Sequence, residues 1–142
     1  DLASVGQALT ENQLRQMHRL KTGALLRGSV MMGAACREPD GTTNAATEQA
    51  LSRFGDAIGL AFQVVDDILD VTTDTAILGK TAGKDAAADK PTYVSVLGLE
   101  RSRDYVQELY AQAMAALDAS GLAAPSTRAL RALAGVVVHR DK

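Results

Sequence analysis

Gly59-Leu-Ala-Phe-Gln-Val-Val-Asp-Asp-Ile-Leu-Asp70 sets three carboxylates into an otherwise apolar run. Carboxylates are costly in such surroundings unless something compensates them. On a helix at about 100° per residue, position i+4 lies about 40° from i, and i+1 about 100° away. Asp66, Asp67 and Asp70 therefore share one face, and Gln63 joins it one turn earlier. Acids on a helix are ordinarily a solvated face, but apolar flanks on both sides argue otherwise here. Hard oxygen donors with room for water suit Mg²⁺, which is commonly held by one or two carboxylates plus substrate phosphates.

The segments around this run read as helices. Thr10-Glu-Asn-Gln13 has the form of a capping box. It predicts a long helix from about Glu11 to about Arg37, with Leu14, Met17, Leu20, Ala24, Leu25, Met31 and Ala35 on its apolar face. Glu38-Pro-Asp-Gly41 should end it. A second long helix is expected from about Asn44 to about Val71, buried nearly all round from Gly59 onward. Phe54 and Phe62 are core candidates on it, as is the Met31-Met32 pair on the first helix. Cys36 reads as a small apolar filler, and His18 is given no role.

Asp74-Thr75 is expected to cap a short turn ending near Gly79, and Gly79 to Lys90 reads as a Gly/Lys/Ala loop. Pro91 suits the first turn of a short helix, about Thr92 to Leu97, which Gly98 interrupts. Another long helix follows from about Glu100 to Ala119, with Tyr105, Leu109, Met114 and Leu117 inward. Gly121 is the stop. Ser126 is expected to cap a last helix to about Val138. No strand-like alternation competes, so the fold class is an all-α bundle of long helices.

The 142 residues suffice for one domain. A hydrophobic fraction of 46% supports a core, but with 4% aromatic residues and no Trp it must be aliphatic. A net charge of −2 gives no general attraction to nucleic acid, so phosphate recognition needs locally placed cations. One cysteine excludes an internal disulfide framework. No apolar run reaches the length of about 18 residues that a membrane span needs. The N-terminus has no signal-peptide pattern, and beginning at Asp1 it suggests residues upstream. A cytoplasmic location is the expectation.

Cations complement the acids. Lys21-Thr22-Gly23 lies in mid-helix, where Gly costs about 1 kcal/mol relative to Ala; a bend there would free backbone carbonyls. Lys80 follows the acids closely, and Lys84 and Lys90 lie beyond it in the loop. Acids that hold a metal, with lysines nearby, make a diphosphate clamp.

Gln63-Val-Val-Asp-Asp-Ile-Leu-Asp70, with Gly59-Leu-Ala-Phe before it and Asp74-Thr-x-x-Leu-Gly-Lys80 after it, resembles the second aspartate-rich motif of the trans-isoprenyl diphosphate synthases. His18-Arg-Leu-Lys-Thr-Gly-Ala-Leu25 resembles that family's Lys-Thr motif, and Lys90-Pro-Thr-Tyr93 the segment after its mobile loop. The likeness is strongest to the bacterial farnesyl diphosphate synthases and runs from about Leu14 to the C-terminus. Family members are about twice as long, and their N-terminal half carries a first aspartate-rich motif. The resemblance thus implies that residues 1–142 are the C-terminal half of one isoprenoid synthase domain, incomplete without the other half.

The resemblance also implies the chemistry. The family condenses an allylic diphosphate, dimethylallyl or geranyl, with isopentenyl diphosphate, using Mg²⁺. By matching position, Asp66, Asp67 and Asp70 would be the metal ligands. Lys21, Thr22, Gln63, Lys80 and Lys90 would bind substrate. The carbonyls of Lys21 and Thr22, with the Gln63 side chain, would face the developing cation as the catalytic set. His139-Arg140 lies in the tail that approaches isopentenyl diphosphate in relatives. A homodimer is implied. A half-bundle would leave apolar surface in water and should self-associate. The alternatives are a longer-chain synthase making geranylgeranyl or larger products, or an inactive helical fragment. An all-Asp second motif argues against a terpene cyclase.

Overall fold

The computed structural model describes residues 10–18, 22–36, 44–77 and 92–140. Six helices follow in order: α1 (Glu11–His18), α2 (Ala24–Ala35), α3 (Ala45–Ile77), α4 (Tyr93–Leu97), α5 (Leu99–Asp118) and α6 (Ala124–His139). No strand occurs among the described residues, so the all-α expectation holds.

The 33-residue α3 is the central element and packs against all five of the others. Its first half buries Leu51, Phe54, Ala57 and Ile58 among Ala34 of α2, Ala113, Ala116 and Leu117 of α5, and Ala134 and Val137 of α6. Its second half buries Leu60, Ala61, Val64 and Val65 among Leu14 of α1, Tyr93 of α4, Tyr105, Val106 and Leu109 of α5, and Val138 of α6. With few aromatics, the two clusters close by bringing helices together over Ala and Val. The buried Thr47 hydroxyl donates to the Ser120 carbonyl at 2.8 Å and ties the start of α3 to the α5–α6 turn.

Several boundaries follow their sequence signals. Gln13 N–H donates to the Thr10 hydroxyl at 3.4 Å, while Thr10 N–H donates to Gln13 Oε1 at 2.9 Å, the two halves of a capping box. Gly98 and Gly121 take positive φ of 83° and 70°, which side chains disfavour, and each marks a helix end.

Other boundaries differ. The helix expected over Glu11–Arg37 is described as two segments, with Thr22-Gly23 in a π-helical turn before α2 and Arg37 outside the described residues. Helix α3 does not stop near Val71 but runs to Ile77, so Asp74-Thr75 lies within it rather than capping a turn. Within it the Thr72 hydroxyl donates back to the carbonyls of Ile68 and Leu69 at 2.9 and 3.2 Å, the bond a threonine makes when it sits inside a helix. Thr92 is the N-cap of α4, bonded reciprocally with Ser95, so the helix begins one residue later than Pro91 suggested. Helix α6 begins at Ala124 with Ala123 as its N-cap. Ser126 is already helical, and Pro125 supplies the preorganised φ of a first turn.

The buried face of α2 is only partly the one expected: Met31 packs on the core. Leu25 is 70% exposed and Met32 65%, and Ala24 and Ala35 are exposed as well. Cys36 is exposed rather than a core filler. Gly23 and Ala34 are buried instead. The reason is a close crossing with α3. A Cβ on Gly59 would stand 2.8 Å from Gly23 Cα, and a Cβ on Gly55 would stand 2.8 Å from Arg27 Cα. Two glycines one turn apart let the α2 backbone lie directly on α3; Leu25 and Met32 turn outward, while Val30 and Met31 flank the crossing and pack on the core.

Candidate active site

Taking Gly55 as origin at about 100° per residue, Asp66, Gly59, Asp70 and Gln63 fall within about 20–80° of it on α3, and Asp67 at about 120°. The stripe that meets the Thr22-Gly23 turn through Gly59 thus continues into Gln63, Asp66 and Asp70. Thr22 is half-buried and Gly23 buried. Gln63 is 6% exposed and makes no side-chain hydrogen bond with any described residue. A buried amide in that state has its donors and acceptor open to a ligand.

Burial falls along the stripe. Leu60 to Val65 is buried except for half-buried Phe62, Asp66 to Leu69 is half-buried, and Asp70 is exposed. Burial all round from Gly59 onward therefore ends at Val65, although Ile68 and Leu69 still pack against the core. The acids stand at the mouth of the stripe, above a buried amide.

Asp66 pairs with Arg140, the residue that caps α6. The same Nη2 donates to the Phe62 carbonyl at 3.2 Å, and the guanidinium lies 4.2 Å from the Phe62 ring centroid. Phe62 is half-buried, packing against the core as expected while offering its ring face to a cation.

Asp67 points elsewhere. Its Oδ2 accepts from Tyr93 N–H at 2.7 Å and so holds the first turn of α4 against α3. A carboxylate at a helix N-terminus satisfies an orphan donor and complements the dipole. Burial pushes the neighbouring Tyr93 phenol well above its usual range, so the hydroxyl stays neutral. Asp67→Ala is expected to destabilise the fold by about 1–2 kcal/mol, the cost of a lost cap. Chemical denaturation followed by circular dichroism checks this.

Among the described residues, no group of three His, Cys, Asp or Glu side chains converges on one point that could hold a metal ion. Two carboxylates, Asp66 and Asp70, share the mouth, and that donor set fits Mg²⁺, which keeps several waters and takes only one or two carboxylates from the protein. Lys21, Lys80 and Lys90 lie outside the described residues. A cavity of about 820 Å³ lies on another side of α3, bordered by Arg15, Arg53, Arg101 and Tyr105. It contains none of the metal- or substrate-binding candidates named from the sequence.

The fold agrees with known proteins. Residues 1–121 match the polyprenyl synthetase family. The chain belongs to that family. It is 40% identical to farnesyl diphosphate synthase from Escherichia coli K12, over 100% of this chain and 46% of that protein. It is 44% identical to a chloroplastic geranylgeranyl pyrophosphate synthase from Capsicum annuum, over 99% of this chain and 37% of that protein. Among solved structures, a geranyltransferase from Helicobacter pylori complexed with magnesium and isoprenyl diphosphate superposes with a TM-score of 0.76 at 35% identity. That match covers 96% of this chain and 44% of the other. The chain spans less than half the length of these relatives.

Sequence reading missed two contributors to this site. The structural duty of Asp67 leaves no trace in spacing. The pair Gly55 and Gly59, four residues apart, was the visible signal for the close approach of α2.

Proposed function

We propose that this chain forms the second aspartate-rich side of a Mg²⁺-dependent prenyltransferase active site. The reaction is condensation of an allylic diphosphate, dimethylallyl or geranyl, with isopentenyl diphosphate to give farnesyl diphosphate. The observation that carries the reading is the stripe on α3: half-buried Asp66 and exposed Asp70 at the mouth, with buried, unbonded Gln63 behind them, beside the Thr22-Gly23 turn.

Asp66 and Asp70 would hold Mg²⁺. Asp67, bonded to Tyr93 N–H, contributes by fixing the start of α4 against α3. When bound, Mg²⁺ supplies Lewis-acid polarisation of the departing diphosphate oxygens. Lys21, Lys80 and Lys90 are proposed to neutralise and position the diphosphate. Gln63 would turn its amide oxygen toward positive charge developing on the allylic carbon, a fixed dipole in a water-poor site. Its burial removes competing water, which strengthens that interaction. The Thr22 carbonyl, at a turn where helical bonding is widened, would face the same way.

Identity to both a farnesyl and a geranylgeranyl synthase supports a longer-chain product as a second reading. We further propose that the chain works as the C-terminal half of a single domain and as part of a homodimer in the cytoplasm. Leu25 and Met32 on α2, and Leu133 and Val136 on α6, present apolar surface suited to cover by further helices. The test incubates the chain with geranyl diphosphate, isopentenyl diphosphate and Mg²⁺, with and without the N-terminal half of a relative. Product only in the complemented reaction is expected, and its chain length distinguishes the two readings. No product from either reaction, with the halves shown to associate, would contradict the proposal.

A further inference from the structure

Arg140 binds a single turn of α3 in three ways: an ion pair to Asp66, a hydrogen bond to the Phe62 carbonyl, and a stack on the Phe62 ring. Its side chain is 21% exposed, whereas that of Asp66 is 48% exposed. Its buried Nε–H has no partner among the described residues.

We infer that Arg140 is an internal counter-ion that occupies Asp66 in the metal-free chain and competes with the divalent cation for that carboxylate, coupling the end of α6 to metal loading. The inference rests on the proposed role of Asp66 as a ligand. The guanidinium pairs with one oxygen of Asp66, Oδ1. A divalent cation arriving at the same carboxylate meets a fixed positive charge within a few ångströms. Either the guanidinium withdraws or the cation binds against repulsion, and both lower metal affinity.

Withdrawal is open to Arg140. The unpaired Nε–H regains a hydrogen bond once it reaches water. Arg140 takes φ −66° and ψ 143°, outside the helical geometry of α6, so its side chain can swing without breaking that helix. Phe62 can hold the released guanidinium nearby through its ring face. By linkage, whatever Arg140 costs the metal, the metal costs the Arg140 contact. Cation binding should therefore loosen the last turn of α6, where His139 Nδ1 lies 2.9 Å from the Gly135 carbonyl.

The test measures Mn²⁺ affinity of the whole chain, alone and with inorganic diphosphate, for wild type, Arg140→Gln and Asp66→Asn. It also follows hydrogen exchange of the backbone amides at 137–140. Arg140→Gln is expected to bind Mn²⁺ about fivefold tighter or more, the low end of typical coupling between sites. Mn²⁺ should raise exchange at 137–140 in wild type but leave Arg140→Gln unchanged, and Asp66→Asn should lose the specific binding. Equal or weaker binding by Arg140→Gln, with binding still lost in Asp66→Asn, overturns the competition and leaves the ligand role standing. Unaltered binding by Asp66→Asn overturns both. If circular dichroism shows Arg140→Gln unfolded, Arg140→Met removes the charge while keeping an unbranched apolar stem against Phe62 and is expected to bind Mn²⁺ more tightly than wild type; no change there overturns the competition.

Discussion

Asp66→Ala is expected to weaken Mg²⁺-dependent binding of inorganic diphosphate by more than about a hundredfold, since even groups that only support a metal ligand are worth about 10–100-fold. Calorimetric titration with and without Mg²⁺ measures it. The substitution removes one of two carboxylates at the mouth of the α3 stripe and leaves a cation, Arg140, that repels the metal. Binding without Mg²⁺ should change little. Stability should change little as well. The Asp66 side chain is 48% exposed, and a half-exposed ion pair is worth about 0–1 kcal/mol. The contrast with Asp67→Ala is the informative part. Neighbours in the chain should separate, Asp66 into ligand binding and Asp67 into stability, because one faces the mouth and the other holds Tyr93 N–H. Unchanged diphosphate affinity in Asp66→Ala would remove this residue from the site.

Gly59→Ala is expected to destabilise the protein toward the upper end of the range of about 1–3 kcal/mol seen for overpacking. The added Cβ would stand 2.8 Å from Gly23 Cα and 3.3 Å from the Gly23 carbonyl oxygen. Both are backbone atoms, so no side chain can step aside. The helices would have to separate at the crossing that sets Gln63 beside the Thr22-Gly23 turn, and diphosphate binding should fall together with stability. Gly135→Ala is the matched control. Nothing lies within 4 Å of the Cβ it would gain, so the same type of change inside α6 should stabilise by about 0.5–1 kcal/mol through helix propensity. Urea denaturation of the two variants beside wild type decides whether the crossing, rather than glycine itself, is what matters.

Helix type was legible because the apolar periodicity is strong and Gly98 and Gly121 punctuate it. The acidic run was legible for a related reason: Asp66 and Asp70 stand where an apolar helix would otherwise continue. The outward face of α2 was not. Apolar size points to Leu25 and Met32, whereas contact is set by Gly23, Gly55 and Gly59, whose contribution is the absence of a side chain. The continuation of α3 past Val71 was hidden because Thr72, Asp74 and Thr75 favour caps and turns by local propensity, yet the helix runs on to Ile77. The division of labour between Asp66 and Asp67 depends on where α4 and α6 return to α3, a tertiary fact that no local pattern encodes.

Paramagnetic broadening by Mn²⁺ with inorganic diphosphate, read in the backbone NMR spectrum of this chain, tests the metal-binding face most directly. Broadening centred on Gln63 to Asp70, and extending to Thr22 and Gly23, is the predicted result. Broadening confined to residues around the Arg15, Arg53 and Arg101 cavity, or none at diphosphate concentrations that saturate the E. coli relative, would contradict it.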